Sequence, residues 1–118
     1  MATFLMRFSY TPETWQHLMA NPEDRSVAAR EYVEAMGGSM LGFWYSFGEY
    51  DGHLIFDAPD EIAAAGVVLA VTAGGALSSC DTTVLMTVED TLKALDHGHA
   101  VKYRKPGVPG SDRVTAHA

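Results

Sequence analysis

An internal disulfide framework is excluded, because Cys80 is the one cysteine of the chain. Positive charge is also scarce. Eight Lys and Arg stand against 15 Asp and Glu, a formal net charge of −7. A surface this acidic disfavours a broad nucleic-acid or anionic-membrane footprint. The longest apolar stretch, around Ile62–Ala73, is too short to span a bilayer. The N-terminus has no basic region leading into an apolar segment and a small-residue cleavage site, so a cytoplasmic protein is expected. Several glycines occur, yet none builds a phosphate loop or a dinucleotide fingerprint.

Histidine is the remaining metal-ligand type. His97 and His99 flank Gly98, and with His17, His53 or His117 they can reach a common ion after folding. An H-x-H pair alone does not define a closed site, and no Cys or Asp/Glu cluster has structural-zinc spacing. The expectation is a protein without a metal or other cofactor. Cys80 reads as a small buried residue, since no basic motif near it would favour a thiolate.

What is present is a single domain's worth of apolar patterning. The chain has 118 residues, 47% of them hydrophobic, which suits one folded domain and not a disordered segment. The charge is unevenly placed. Residues 1–96 hold 14 acidic and 4 basic side chains, whereas residues 97–118 hold Asp112 against Lys102, Arg104, Lys105 and Arg113. The chain therefore divides into a domain over residues 1–97 and a basic C-terminal tail over residues 98–118. The tail is positioned to lie on its own acidic domain or as an arm on another subunit's, or to meet an anionic ligand or partner.

Thr3–Tyr10 alternates as a strand, with Phe4, Met6, Phe8 and Tyr10 on one face and Leu5 and Arg7 on the other. Thr11-Pro12-Glu13 starts a short helix through Met19, and Asn21-Pro22-Glu23-Asp24 starts a longer one over residues 23–36. Gly37-Gly38 stops it. A strand from Ser39 to Phe47, a glycine-bounded turn suited to positive φ, and a strand from Gly52 to Asp57 form a hairpin. Helical residues 60–73 follow, apolar around much of their circumference. Leu77–Thr87 is the last strand, and Val88–Leu95 a short terminal helix.

The order β-α-β-β-α-β predicts an α+β, ferredoxin-like sandwich. Such a sheet carries its helices on one face, and the other should be polar if water covers it. Here the strand Ser39–Phe47 is apolar on both faces, and the first strand places Leu5 opposite Phe4, Met6 and Phe8. Pairing of sheets between subunits would bury the surplus, so a homodimer or higher homo-oligomer is expected.

The segment Gly48-Glu49-Tyr50-Asp51 resembles the signature turn of the GYD domain family. Gly37-Gly38, Phe43-Trp44-Tyr45 and Ala58-Pro59-Asp60 fit the same pattern at similar spacing, and the likeness covers about residues 3–92. It implies a fold of the dimeric α/β-barrel group, in which two ferredoxin-like domains bring their sheets together. That wider group includes cofactor-free monooxygenases, haem proteins and isomerases, among which a fold does not choose. The chain departs from the family at Thr11-Pro12-Glu13-Thr14-Trp15 and at His53, where a small aliphatic residue is common.

Two sets of residues could carry function. Tyr50 and Asp51 either close the turn and pack a sheet edge, or sit at a pocket mouth where Tyr50 bonds a carbonyl or phenolate and Asp51 orients it. Arg7 and His53, if they share a face, can position an anionic oxygen, with His53 as proton acceptor and Arg7 as electrostatic support. A satisfied structural His-Arg contact is the alternative. Trp15, Tyr32, Trp44 and Tyr45 either line an aromatic-ligand site or belong to core and interface. The resulting expectation is a homo-oligomer binding a small apolar or aromatic molecule. The alternative is a cofactor-independent monooxygenase or isomerase using His53, Tyr50 and Arg7.

Overall fold

A computed structural model describes residues 1–107. They fall into two compact units, residues 1–86 and the part of the chain from Thr87 onward. The first contains β1 (Ala2–Tyr10), α1 (Pro12–Ala20), α2 (Arg25–Ala35), β2 (Ser39–Tyr45), β3 (Gly52–Ala58), α3 (Glu61–Ala73) and β4 (Leu77–Leu85). The strands form one antiparallel sheet in the order β2-β3-β1-β4. This is the ferredoxin-like arrangement that the element order predicts.

The alternation of β1 fixes which face is core. Phe4, Met6, Phe8 and Tyr10 are buried, while Thr3, Leu5, Arg7 and Ser9 are half-buried on the opposite side. β3 repeats the pattern, with Leu54, Phe56 and Ala58 inward and His53, Ile55 and Asp57 outward. Val33 of α2 and Ala64 and Val67 of α3 close the inner side. Phe4 and Phe56 stack across the strands at 5.6 Å.

Local chemistry starts each helix where the sequence predicts. The Thr11 hydroxyl accepts from Thr14 N–H at 3.1 Å, the Asp24 carboxylate from Ser26 N–H at 3.0 Å, and the Asp60 carboxylate from Ala63 N–H at 2.8 Å. Each satisfies an amide that the helix itself leaves free. At the end of α2, Gly37 turns to φ +83° and Gly38 N–H donates to Val33 C=O at 3.0 Å. Gly38 then passes so near β3 that a Cβ there would lie 2.1 Å from the Asp57 carbonyl oxygen.

Three details differ from the expectation. In the hairpin, positive φ falls on Phe47, at 53°, and not on Gly48 or Gly52. Gly52 instead makes room for the Phe8 ring, whose nearest atom would be 2.3 Å from an added Cβ. β2 ends at Tyr45 and β4 at Leu85, each short of the alternating run.

The second unit contains α4, Val88–Ala100, which extends beyond the expected end at Leu95 and takes in His97 and His99. Thr87 caps it by accepting from Asp90 N–H at 3.0 Å, and Lys93 lies 3.9 Å from both Glu89 and Asp90. The tail from residue 108, with His117, lies outside the described residues.

Candidate functional site

The outer sheet face gathers the expected polar residues into one row. Arg7 is the cross-strand partner of His53 on β3 and of Asp81 on β4, and His53 is the partner of Trp44 on β2. Because side chains alternate, all four project to the same side. Arg7 forms an ion pair with Asp81. The guanidinium lies 4.8 Å from the centre of the Tyr50 ring, and the Tyr50 hydroxyl donates to Asp81 Oδ2 at 3.4 Å. Among the described residues, Arg7 Nε is buried and without a hydrogen-bond partner. Trp44 folds its indole back over Gly42, where a Cβ would meet the ring at 2.2 Å. In the neighbouring row Leu5 pairs with Ile55 on β3 and with Thr83 on β4.

Asp51 goes the other way. Its carboxylate accepts from Tyr10 N–H at 2.9 Å and from Trp15 Nε1–H at 3.0 Å, while its own N–H donates to Phe8 C=O at 2.9 Å. Adjacent residues of the signature turn thus serve opposite faces of the sheet. Trp15 and Tyr45 belong to a run of ring contacts with Tyr10, Phe43 and Phe47, at centroid distances from 5.0 to 6.2 Å.

Between the inner sheet face and helices α2 and α3 lies a cavity of about 210 Å³. Met6, Phe8, Leu54, Val67 and Val71 make its apolar walls. Its polar lining includes Arg25, Tyr10 and Tyr32. Burial pushes the Tyr10 phenol well above its ordinary pKa, the hydrogen bond with Tyr45 adds to this, and the nearby Arg25 charge offsets it only in part. The two phenol oxygens are 3.2 Å apart. Tyr10 is therefore a neutral hydrogen-bonding group across the physiological range.

The structure brings His53, Arg7 and Tyr50 together, with Trp44 in the same row, but on an open face and not in a closed pocket. Tyr32 alone of the expected ligand-binding residues lines the cavity; Trp15, Tyr45 and Asp51 pack beside the core, and Trp44 is on the other side of the sheet. Sequence reasoning missed Arg25, Tyr10 and Asp81. Asp81 had a signal, an acid at a strand position matching Arg7 in parity. Arg25 had none beyond following the Asp24 cap. Among the described residues, no three His, Cys, Asp or Glu side chains are grouped to hold a metal ion, and no helix is long and apolar enough to cross a membrane.

The sheet order and one-sided helices define an α+β protein of the ferredoxin-like class. The chain belongs to the GYD domain family, whose model matches residues 4–95. Comparison with curated proteins gives no match. Among solved structures, the chain is similar to the 5-chloro-2-hydroxyhydroquinone dehydrochlorinase TftG from Burkholderia phenoliruptrix in complex with 2,5-dihydroxybenzoquinone. That likeness has a TM-score of 0.51 at 14% identity, over 75% of this chain and 97% of the other. A mutant of MhuD with two manganese protoporphyrin IX bound per active site gives a TM-score of 0.43 at 17% identity, over 75% and 95% of the two chains.

Proposed function

We propose that this chain is a homo-oligomeric small-molecule-binding protein that takes an apolar or aromatic molecule into the cavity between its sheet and helices. The observation that carries the reading is the cavity of about 210 Å³, walled mainly by apolar side chains, between the inner sheet face and helices α2 and α3. Cavities of about 150 Å³ walled by aliphatic and aromatic groups already admit benzene, so this one has room for a substituted ring. The quinone held by the dehydrochlorinase of like fold is also a single-ring compound.

Oligomerisation draws on the outer face. Trp44 is 53% exposed there, and Leu5 and Ile55 form an apolar pair beside it. The flanking row has one cation and one anion, Arg7 and Asp81, so a two-fold-related copy can offer matching charge. A second copy is the occupant this face suits best.

Titration calorimetry and ligand-observed NMR with toluene test the cavity. Wild-type protein is expected to bind it, and Val71→Trp, which puts an indole on a half-buried wall of the cavity, to weaken binding by about tenfold or more. Absence of binding by toluene and by every other single-ring probe, or equal binding by the variant, removes the reading. Sedimentation equilibrium tests assembly. A dimer or larger species is expected, with Leu5→Lys shifting the population to monomer.

A second reading, a cofactor-independent monooxygenase or isomerase, is favoured by one observation. His53 is cross-strand from Arg7, whose Nε has no partner among the described residues. In it His53 accepts a proton and Arg7 and Tyr50 steady the resulting oxyanion. Oxygen uptake or isomerisation of a single-ring phenol is the activity to assay, and turnover unaffected by His53→Gln would dismiss this mechanism.

A further inference from the structure

The cavity has one charged side chain among its lining residues, and that charge is positive. Arg25 is the first residue of α2 and is bonded through Nη1 to the exposed Glu23 carboxylate at 3.3 Å. A guanidinium carries five N–H donors, so this contact leaves others for a ligand. Tyr10 and Tyr32 line the same cavity, giving two phenol groups near the cation. No carboxylate lines it.

We propose that the cavity selects a single-ring organic carboxylate, with the ring against Met6, Leu54 and Val67 and the carboxylate on Arg25 and the tyrosine hydroxyls. This rests on the cavity reading above and adds the ligand's charge. The physical basis is the distribution of lining chemistry. A neutral hydrocarbon would use the walls and leave the guanidinium's remaining donors unused. A cationic ligand would meet Arg25 with repulsion. An anion of ring size uses both parts, and a planar carboxylate matches the guanidinium fork in a way a point charge does not. The volume of about 210 Å³ limits the apolar body to about one ring.

The test compares benzoate, benzamide and toluene as probes at neutral pH, by calorimetry and ligand-observed NMR, on wild-type protein, Arg25→Gln and Arg25→Lys. Wild-type protein is expected to bind benzoate about tenfold more tightly than toluene or benzamide. The preference should vanish in Arg25→Gln and survive in reduced form in Arg25→Lys. If Arg25→Gln fails to fold, the lysine variant still decides, because loss of the bidentate fork should lower the benzoate preference about threefold or more. Equal binding of benzoate and toluene by wild-type protein overturns the carboxylate assignment and leaves the cavity reading standing. A benzoate preference unchanged in Arg25→Gln or Arg25→Lys also overturns it. If no probe binds, both fall.

Discussion

At the residue scale, Asp51 carries two hydrogen bonds through one carboxylate oxygen beside the core. It accepts from a strand amide and from the Trp15 indole, and so joins β1 to α1 through one carboxylate. Hydrogen bonds to a charged acceptor contribute about 1.5–3 kcal/mol, and an abandoned buried donor costs more than an exposed one. Asp51→Ala is expected to lower the unfolding free energy by about 2–3 kcal/mol in urea denaturation. A loss below about 0.5 kcal/mol would show that water replaces the carboxylate at both donors. Arg7 and Asp81 present the contrary case. Their side chains are 34% and 42% exposed, so in the isolated chain their ion pair is worth about 1 kcal/mol at most.

At the element scale, the junction of α2 and β2 is where backbone geometry leaves least room. Gly38→Ala places a methyl group 2.1 Å from the Asp57 carbonyl oxygen, a backbone atom that cannot swing aside. Thermal unfolding should show a loss of about 3 kcal/mol or more, at or beyond the upper end for overpacking. Gly75→Ala is a control of different kind. Gly75 has φ +78° with nothing within 4 Å of an added Cβ, so its cost is conformational, about 1–2 kcal/mol. Equal effects of the two would refute the steric account of Gly38.

The elements were legible because their signals are local. Period-two alternation located β1 and β3, and proline-acid caps located α1, α2 and α3. The ends of β2 and β4 were not legible, because pairing with a neighbour, not residue type, decides where a strand stops. The row Trp44–His53–Arg7–Asp81 was half legible. Element order put Arg7 and His53 on neighbouring strands but left open whether they share a face, and Asp81 and the Tyr50 contact depend on register and on the path of a turn. The cavity was not legible at all, since empty space is set by how side chains from β1, α2, β3 and α3 fail to fill the interior.

At the scale of the whole molecule, the response to alkali follows from two groups. Burial raises the pKa of both the Tyr10 phenol and the Cys80 thiol above their ordinary values. Their neutral forms are favoured by folding, so their contribution is complete below the unfolded pKa values and falls as pH rises above them. Ordinary values are about 8.5 for Cys and about 10 for Tyr. Stability should therefore decline first and shallowly above about pH 8.5, because solvent screens the half-buried Cys80, and more steeply above about pH 10, where Tyr10 adds at most about 1.4 kcal/mol per pH unit. Tyr10→Phe and Cys80→Ala should each flatten their own part of a denaturation series from pH 7 to 11. A wild-type curve level to pH 11 would contradict the burial of Tyr10 and the partial burial of Cys80.

One peptide link separates Tyr50, stacked on the outer row, from Asp51, tied to the helix side. Surface turns usually tolerate added residues, and this one should not. An extra residue between them would break the one-link spacing that sets the phenol against Arg7 and the carboxylate against Tyr10 N–H and Trp15. Chain length at this point is thus a constraint in its own right, separate from which amino acids fill it.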